Sequence, residues 1–342
     1  MRRGPRPVPS DEPSAARTAG LAPAARHAAD LAARPAAAPA REPAVAPGAG
    51  ASAPVVELTA PPPLVYEPIV RRALEEDLGR AGDLTTDAIV PAGALARARI
   101  VARAAGRVAG LEIAASAFRL LDPAVEVAVE VPDGADVDAG ASLAVVAGSA
   151  RAVLTGERVA LNLLGRLCGI ATATREVVRA VERANPRCRV VDTRKTTPGL
   201  RALEKYAVRA GGGANHRFGL DDAVLVKDNH LALAGGVAAA VERVRARAGH
   251  LVRVEVEVDT LEQLDEALAA GVDAVLLDNM APATLREAVR RTAGRSVLEA
   301  SGGITPETAP EIAATGVDLL SIGWLTHSVP SLDVALEIDV EA

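Results

Sequence analysis

A repeating pattern of short strands and amphipathic helices fills residues 189–323. Six runs rich in Val and Leu each end in, or are directly followed by, polar or glycine residues: "RVVDT", "DAVLVKDN", "VRVEVEV", "AVLLDN", "SVLEASGG" and "LLSIG". The intervening segments include "TLEQLDEALAAG", "APATLREAVRRTAG" and "TPETAPEIAATG", which predict helices closed by a glycine. Strands that alternate with helices are parallel, and nearly continuous apolar runs indicate strands buried on both faces.

Two architectures satisfy this pattern, a closed barrel and a doubly wound open sheet. An open sheet that binds a dinucleotide carries GxGxxG directly after a strand, and no strand here is followed by that motif. The sequence therefore favours an α/β barrel over a dinucleotide-binding sheet.

The chain before the repeat consists of two segments that differ in composition and pattern. Residues 1–60 are mainly Ala, Pro, Arg, Gly and Ser, and scattered prolines oppose both helix and sheet, so a disordered extension is expected. From Leu64 onward, "LVYEPIVRRALEEDLG" predicts a helix that stops at Gly79. After a turn-rich connector, "GDLTTDAIVPAG", three strand-like segments predict a small sheet: "ARARIVARAAGRVAG", "VEVAVEVPDGADV" and "SLAVVAG". A long helix is predicted next, over 151–185, with a break near Cys168–Gly169–Ile170.

Composition excludes several classes of protein. The 342 residues are 49% apolar, enough for a substantial core, and the net charge of −6 offers no general attraction to nucleic acid or to an anionic membrane. The two cysteines, Cys168 and Cys188, lack metal-ligand spacing and are expected to be small buried residues in a reducing compartment. No apolar run long enough for a membrane span and no secretory signal pattern is found, so a cytoplasmic protein is expected.

Polar residues follow every predicted barrel strand, at the end where barrel enzymes build their active sites. The strand ends carry Asp192 with Thr193, Arg194 and Lys195; Lys227 with Asp228 and Asn229; Glu255 or Glu257; Asp278 with Asn279; Ser301 with Gly302 and Gly303; and Gly323. Because all six ends meet at one mouth, we expect these side chains to line a single pocket. The residues themselves do not decide between Glu255 and Glu257.

The cationic members of this set predict the ligand. Each has an ordinary structural interpretation: Arg194 and Lys195 as a solvated loop pair, and His216 as a histidine that only satisfies its own hydrogen bonds. Together with Arg217 and Lys227 they suit a ligand with several carboxylates or phosphates.

Other strand ends predict where a phosphorylated sugar and its charge would lie. Glu257 and Asp278 supply negative charge for Mg²⁺, for ribose hydroxyls or for a developing cation, although Asp278 alone is also typical of a helix cap. "SGGITPETA" is expected to start a helix at Thr305, so that backbone N–H groups face a phosphate. The residues 322–324 offer a second close backbone approach.

These residues resemble the quinolinate phosphoribosyltransferase family, also called carboxylating nicotinate-nucleotide pyrophosphorylase. The resemblance runs from about Leu64 to the C-terminus and rests mainly on "DTRKTTPGLRALEKYAVRAGGGANHRFGLDDAVLVKDNH", with "GERVALNLLGRLCGIATATR", "VEVEVDTLEQLDEAL" and "IGWLTHS" in order. It implies an N-terminal open α/β sandwich domain over 64–165, to which residues 331–342 return, and an α/β barrel of fewer than eight strands over 166–330.

The resemblance also implies an activity: transfer of a phosphoribosyl group from 5-phosphoribosyl-1-pyrophosphate to quinolinate, with decarboxylation to nicotinate mononucleotide. It implies Mg²⁺, no organic cofactor, and a homodimer, or a higher oligomer of it, with active sites shared between subunits. Catalytic roles fall on Lys195, Glu257 and Asp278, the last two also as metal ligands. The implied substrate contacts are Arg158, Thr193, Arg194, Lys195, His216, Arg217, Lys227, Glu257, Asp278, Ser301, Gly302, Gly303, Ile322, Gly323 and Trp324.

Three alternatives remain at the level of sequence. Lys195 or Lys227 would serve as the Schiff-base amine of a barrel lyase or aldolase. A noncatalytic paralogue would bind the nucleotide without turning it over. A molybdenum-linked paralogue of similar fold is the nearest relative to be distinguished, and the arginines and histidine that match two carboxylates favour quinolinate instead.

Overall fold

The computed structural model describes residues 58–339 of the chain. Nearly all of the predicted extension over residues 1–60 lies outside the described residues, as do residues 340–342. The helices are α1 Pro63–Leu78, α2 Leu84–Ile89, α3 Leu111–Leu121, α4 Ala150–Ala184, α5 Arg201–Ala210, α6 Asp228–Ala234, α7 Val237–Arg245, α8 Leu261–Ala269, α9 Pro282–Thr292, α10 Ala309–Ala313 and α11 Trp324–His327. The strands are β1 Leu95–Ala102, β2 Gly106–Arg107, β3 Glu126–Val129, β4 Asp136–Val137, β5 Ser142–Ser149, β6 Arg189–Val191, β7 Val224–Val226, β8 Val254–Val258, β9 Ala274–Asp278, β10 Val297–Ser301, β11 Leu319–Ser321 and β12 Val334–Ile338.

The first sheet is antiparallel, with strand order β12-β1-β5-β3. Its core includes Phe118 and Ile113 from α3, which are fully buried, together with Ile100 and Leu143. The strand β12, near the end of the chain, pairs with β1, so the last described strand completes the first sheet. The connector before β1 contains α2, a helix absent from the sequence prediction, and the Asp83 side chain caps it by accepting from the Thr86 N–H at 3.0 Å.

The six predicted strands of the repeat are confirmed, and they form one parallel sheet in the order β6-β11-β10-β9-β8-β7. Valine and leucine side chains on one face pack under the surrounding helices, with Val256, Val275 and Leu320 fully buried. On β8 the valines take that face, so the two glutamates of "VEVEV" point to the opposite face, the interior of the barrel. All six strands therefore deliver their carboxyl ends to the same mouth.

The helix α4 is continuous over 35 residues, so the predicted break near Gly169 is wrong. The glycine serves close packing instead. A Cβ atom at Gly169 would lie 2.1 Å from the Pro330 carbonyl oxygen, a distance that real contacts do not show. A glycine inside a helix thus marks a close approach of the C-terminal segment rather than the end of the helix.

We expect Gly169→Ala to lower the free energy of unfolding, because the added methyl must push the Pro330 backbone away. Overpacking costs about 1–3 kcal/mol, which exceeds the roughly 1 kcal/mol that alanine returns in helix propensity. Thermal unfolding measures the difference. Gly93→Ala is the control, since a Cβ at Gly93 meets nothing within 4 Å; a Gly169→Ala variant as stable as this control would contradict the packing argument.

Within residues 58–339, no helix has both the length and the hydropathy that crossing a membrane requires.

Candidate active site

A cavity of about 710 Å³ opens at the carboxyl ends of the barrel strands. It brings together fourteen of the fifteen side chains or glycines that the sequence placed at a substrate site. These are Thr193, Arg194, Lys195, His216, Arg217, Lys227, Glu257, Asp278, Ser301, Gly302, Gly303, Ile322, Gly323 and Trp324. The expectation that every strand-end residue lines one pocket is wrong for four of them, because Asp192, Asp228, Asn229 and Glu255 do not line this cavity.

Arg158 is the exception. It lies on α4 in a different surface depression, with Leu78, Asp83 and Thr155, and its side chain is 64% exposed. Its nearest carboxylate is that of Glu157, at 3.7 Å. In this chain, Arg158 does not belong to the cavity that contains the other fourteen.

Two arginines form the cationic wall of the cavity. The Nε of Arg194 is buried and has no hydrogen-bond partner among the described residues. Arg217 donates from Nη1 to the Ala223 carbonyl oxygen at 3.1 Å. Burial and the neighbouring Arg194 charge lower the pKa of Arg217, so the fold holds two like charges together against their repulsion. An anion bound between them would relieve this repulsion and satisfy Nε.

The His216 ring lies beside this wall with both nitrogens engaged. The backbone N–H of Arg217 donates to Nδ1 at 2.7 Å, and Nε2 lies 3.1 Å from Glu255 and 3.5 Å from Glu299. Burial opposes a charge on this ring, but the hydrogen bond to Glu255 and the charges of both glutamates outweigh it and raise the pKa of His216.

Glu299 was not predicted from the sequence, although it lines the cavity and is almost fully buried. Burial and repulsion from Glu255 raise the pKa of Glu299 to about 7. Among the described residues, His216, Glu255 and Glu299 are the one group of three whose possible metal-ligating atoms lie within 4.8 Å of one another. Since Nδ1 accepts a backbone hydrogen bond, the ring proton sits on Nε2, between the two carboxylates.

The structure separates the positions of Glu255 and Glu257, between which the sequence did not decide. Both point into the barrel, but Glu255 lies deeper, against His216, whereas Glu257 lines the cavity and pairs with Lys227. Asp278, at the end of β9, also faces the cavity and accepts from the Asn279 side-chain amide at 2.7 Å.

The backbone geometry where β9 and β10 end requires a glycine at position 302. Asn279 has a positive φ of 52°, and Gly302 has a φ of 95°. A Cβ atom at Gly302 would lie 2.1 Å from Oδ1 of Asn279, so both the conformation and the close contact exclude a larger residue.

The opposite rim is built from backbone segments. The Trp324 indole N–H donates to the Ile304 carbonyl oxygen at 2.8 Å, which ties the segment after β11 to the segment after β10. The Thr326 hydroxyl donates to the Lys195 carbonyl oxygen at 2.8 Å. His327 also lines this rim and was not predicted.

The predicted helix start at Thr305 is wrong. The helix α10 begins at Ala309, and Thr305 instead forms a turn with Thr308, whose hydroxyl accepts from the Thr305 N–H at 2.9 Å. Pro310 shortens the helix because it lacks the backbone N–H that would donate to the Pro306 carbonyl oxygen in a helix starting at Thr305. The rim near Thr305 is therefore a turn in front of a five-residue helix.

Glu257 and Asp278 could hold Mg²⁺ through their two carboxylates, and they do not form a complete set of protein ligands. The three-member cluster around His216 does not include either residue, so the described residues offer the ion two carboxylates. Mg²⁺ is usually held by one or two carboxylates, with water and substrate phosphates completing its octahedron.

The two cysteines have no place in this site. Cys168 and Cys188 are both buried and free, and burial raises the pKa of each thiol to about 12. The prediction that they are small buried residues is confirmed.

A parallel six-stranded barrel with a cationic pocket and two cavity-facing carboxylates at its strand ends defines a barrel enzyme that acts on a multiply anionic small molecule. Family models describe the chain in two consecutive segments, the quinolinate phosphoribosyl transferase N-terminal domain over residues 83–168 and C-terminal domain over residues 170–337. The chain belongs to the quinolinate phosphoribosyltransferase family.

Individual relatives agree with this assignment. The chain is 49% identical over 263 residues to a probable carboxylating nicotinate-nucleotide pyrophosphorylase of Bacillus subtilis, a match that covers 77% of this chain and 90% of the relative. It is 47% identical to the carboxylating nicotinate-nucleotide pyrophosphorylase of Mycobacterium leprae, over 79% of this chain and 95% of the relative. The crystal structure of NadC from Streptococcus pyogenes aligns with a TM-score of 0.80 at 41% identity, covering 83% of this chain and all of that one. The family and fold implied by the sequence motifs are confirmed.

Proposed function

We propose that this protein transfers the phosphoribosyl group of 5-phosphoribosyl-1-pyrophosphate to quinolinate and decarboxylates the product. The products are nicotinate mononucleotide, pyrophosphate and carbon dioxide, a step of NAD biosynthesis. The observation that carries this proposal is the pair Arg194 and Arg217, two guanidinium groups at one wall of the cavity, one with a buried and unpartnered Nε. Two adjacent carboxylates on a planar ring suit two guanidinium forks.

The first step forms a bond between the quinolinate ring nitrogen and the anomeric carbon of the ribose, and it breaks the bond to pyrophosphate. Positive charge develops on the ribose as the leaving group departs. Glu257 and Asp278 face the cavity from β8 and β9 and would stabilise that charge or hold the ribose hydroxyls. Lys195, after β6, and Lys227, after β7, also line the cavity and would neutralise the anionic groups.

The second step breaks the bond between the ring and its carboxylate at the carbon next to the nitrogen. The electron pair stays on that carbon, where the adjacent positively charged ring nitrogen stabilises it, so carbon dioxide leaves without an organic cofactor. The electron pair then takes up a proton at the same carbon. The cationic wall orients both carboxylates before this step.

Mg²⁺ held by Glu257 and Asp278 would supply charge neutralisation for the pyrophosphate leaving group. Ser301, Gly302 and Gly303 after β10, and Ile322, Gly323 and Trp324 after β11, would contact the phosphorylated sugar, since both segments form the cavity rim.

We assign catalysis to a barrel domain over residues 166–330 and a supporting role to a second domain over 64–165, completed by the C-terminal residues 331–342. The pairing of β12 with β1 supports the return of the C-terminus. We further propose a homodimer in which Arg158, remote from its own chain's cavity, completes the partner's site. The reaction is expected in the cytoplasm.

A Schiff-base mechanism at Lys227 is less consistent with this site. Such chemistry needs an amine with a free lone pair. Lys227 is instead ion-paired with Glu257, as an ammonium group would be. A nucleotide-binding protein without activity and a molybdenum-linked paralogue are both distinguished from the proposed enzyme by turnover of quinolinate.

The proposed function is tested by incubating the purified protein with phosphoribosyl pyrophosphate, Mg²⁺ and either quinolinate or nicotinate. We expect nicotinate mononucleotide from quinolinate, with kcat/KM higher than for nicotinate. A monocarboxylate leaves part of the arginine pair unpaired in a buried pocket, at about 1–3 kcal/mol per group, or about 5- to 150-fold in rate. Equal turnover of the two acids would contradict the assignment, and no turnover of quinolinate would favour a noncatalytic role.

A further inference from the structure

The helix α5 carries two consecutive charged residues, Glu204 and Lys205, that are both buried, with 0% and 2% of their surface exposed. Charged side chains are rarely buried to this degree unless they are paired. Glu204 pairs with Arg166 and accepts from Thr197, while Lys205 pairs with Asp192. Each residue therefore ties α5 to a different segment.

The ion pair of Lys205 and Asp192 lies directly under the loop that carries His216 and Arg217. Besides Lys205, the Asp192 carboxylate accepts from the His216 backbone N–H at 2.9 Å and from the Asn215 side-chain amide at 2.6 Å. The Lys205 ammonium also donates to the His216 carbonyl oxygen at 3.0 Å. The backbone of His216 is thus fixed on both sides of its Cα.

Asp192 also belongs to the segment that carries the other arginine, because it directly follows β6 and lies only two residues before Arg194. The Asp192 carboxylate therefore links the two backbone segments that carry Arg194 and Arg217. Arg194 and Arg217 repel each other, so their spacing needs a support that does not yield. Neither Asp192 nor Lys205 lines the cavity, so this support acts without touching a ligand there.

We propose that Asp192 and Lys205 are positioning residues that set the spacing of Arg194 and Arg217 and thereby select an acid with two adjacent carboxylates. This inference rests on the proposed function and assigns the preference for quinolinate to a buried pair outside the pocket. Replacing a buried ion pair by neutral residues of similar volume often preserves stability, so the proposed role of this pair is to fix the geometry of the site.

The test is the double variant Asp192→Asn/Lys205→Met. It removes both buried charges at once, so no unpaired charge is left in the core. We expect calorimetry to show quinolinate binding weakened at least tenfold and phosphoribosyl pyrophosphate binding changed less than twofold. The ratio of kcat/KM for quinolinate to that for nicotinate should fall at least fivefold. A change in this ratio separates positioning from a loss of folded protein, which would lower both values equally.

Asn215→Ala provides a second variant in case the double variant does not fold, because Asn215 is exposed and uncharged. It removes one donor to Asp192 and should shift the same ratio in the same direction by a smaller factor.

The matched control is Asp273→Asn. Asp273 accepts from the Val254 N–H at 2.9 Å and pairs with Arg253, but it does so at the amino end of the barrel strands, away from the cavity. We expect it to change the melting temperature without changing the ratio.

Equal weakening of both ligands, or an unchanged ratio in an active double variant and in Asn215→Ala, would overturn the positioning role alone. A wild-type protein that does not convert quinolinate would instead overturn the proposed function.

Discussion

Arg194→Met is expected to lower kcat/KM for quinolinate by about 30- to 5,000-fold, since truncating one member of a buried charge pair costs about 2–5 kcal/mol. The affinity for phosphoribosyl pyrophosphate should change much less. Arg194 is one of two guanidinium groups at the cationic wall, and its buried Nε has no partner among the described residues. A bound carboxylate would supply that partner, and methionine fills similar space without the charge.

Arg194→Lys refines this test, because an ammonium keeps the charge but loses the two-point contact. We expect a kcat/KM for quinolinate between that of the wild type and that of Arg194→Met. The control is Arg253→Met, at the opposite end of the barrel, where the arginine is 67% exposed and, within residues 58–339, pairs only with Asp273. Isothermal titration calorimetry with each substrate separates the effects. If Arg194→Met weakened both substrates equally, the assignment of this arginine to the dicarboxylate would be wrong.

The sequence predicts the barrel and its mouth well, for a physical reason. Parallel strands buried on both faces must be short apolar runs, and the residues that follow them must be polar because the chain leaves the core there. Each of the six predicted strands, from "RVVDT" to "LLSIG", occurs in the structure, and most of the polar residues at their ends line the cavity, although Asp192, Asp228 and Asn229 do not. Local sequence patterns are sufficient to predict these strands because each one repeats the same apolar run with a polar end.

The support beneath the mouth is not predictable in this way. In "RALEKYAVRA", Glu204 and Lys205 look like the solvent face of an amphipathic helix, because charged residues are usually exposed. Their partners, Arg166 and Asp192, are 38 and 13 residues away along the chain, and no local pattern shows that they meet. Burial of these residues depends on tertiary contacts alone.

Depth inside the barrel is also invisible in the sequence. Glu255 and Glu257 share the same strand parity, so both are predicted to face the same way. Only the packed structure shows that Glu255 lies against His216 and Glu257 reaches the cavity. The position of Glu299 is equally hard to predict. Its place two residues before Ser301 puts it on the same face of β10 as that serine, but its burial beside His216 depends on contacts with other parts of the barrel.

Arg158 lies on α4, outside the cavity that contains the other predicted substrate contacts. Without family knowledge, an exposed arginine on α4 is an ordinary surface residue, and here it lies outside its own cavity with a solvent-exposed side chain. If it completes the site of a second subunit, each active site combines Lys195 from one chain with Arg158 from the other. Arg158→Ala and Lys195→Ala homodimers should then both be nearly inactive, although for different reasons.

Mixing these two inactive variants should restore activity. In a mixed dimer, the Arg158→Ala chain keeps its own Lys195 and receives Arg158 from its partner, so one site of two is complete. Refolding an equimolar mixture gives about half mixed dimers by random pairing, and independent sites then give about a quarter of the wild-type activity. Steady-state turnover measures the recovery, and native mass spectrometry counts the mixed dimers. If mixed dimers form but stay inactive, Arg158 and Lys195 serve the same chain's site and the shared site is excluded, because no pairing of these variants would then contain both side chains in one subunit.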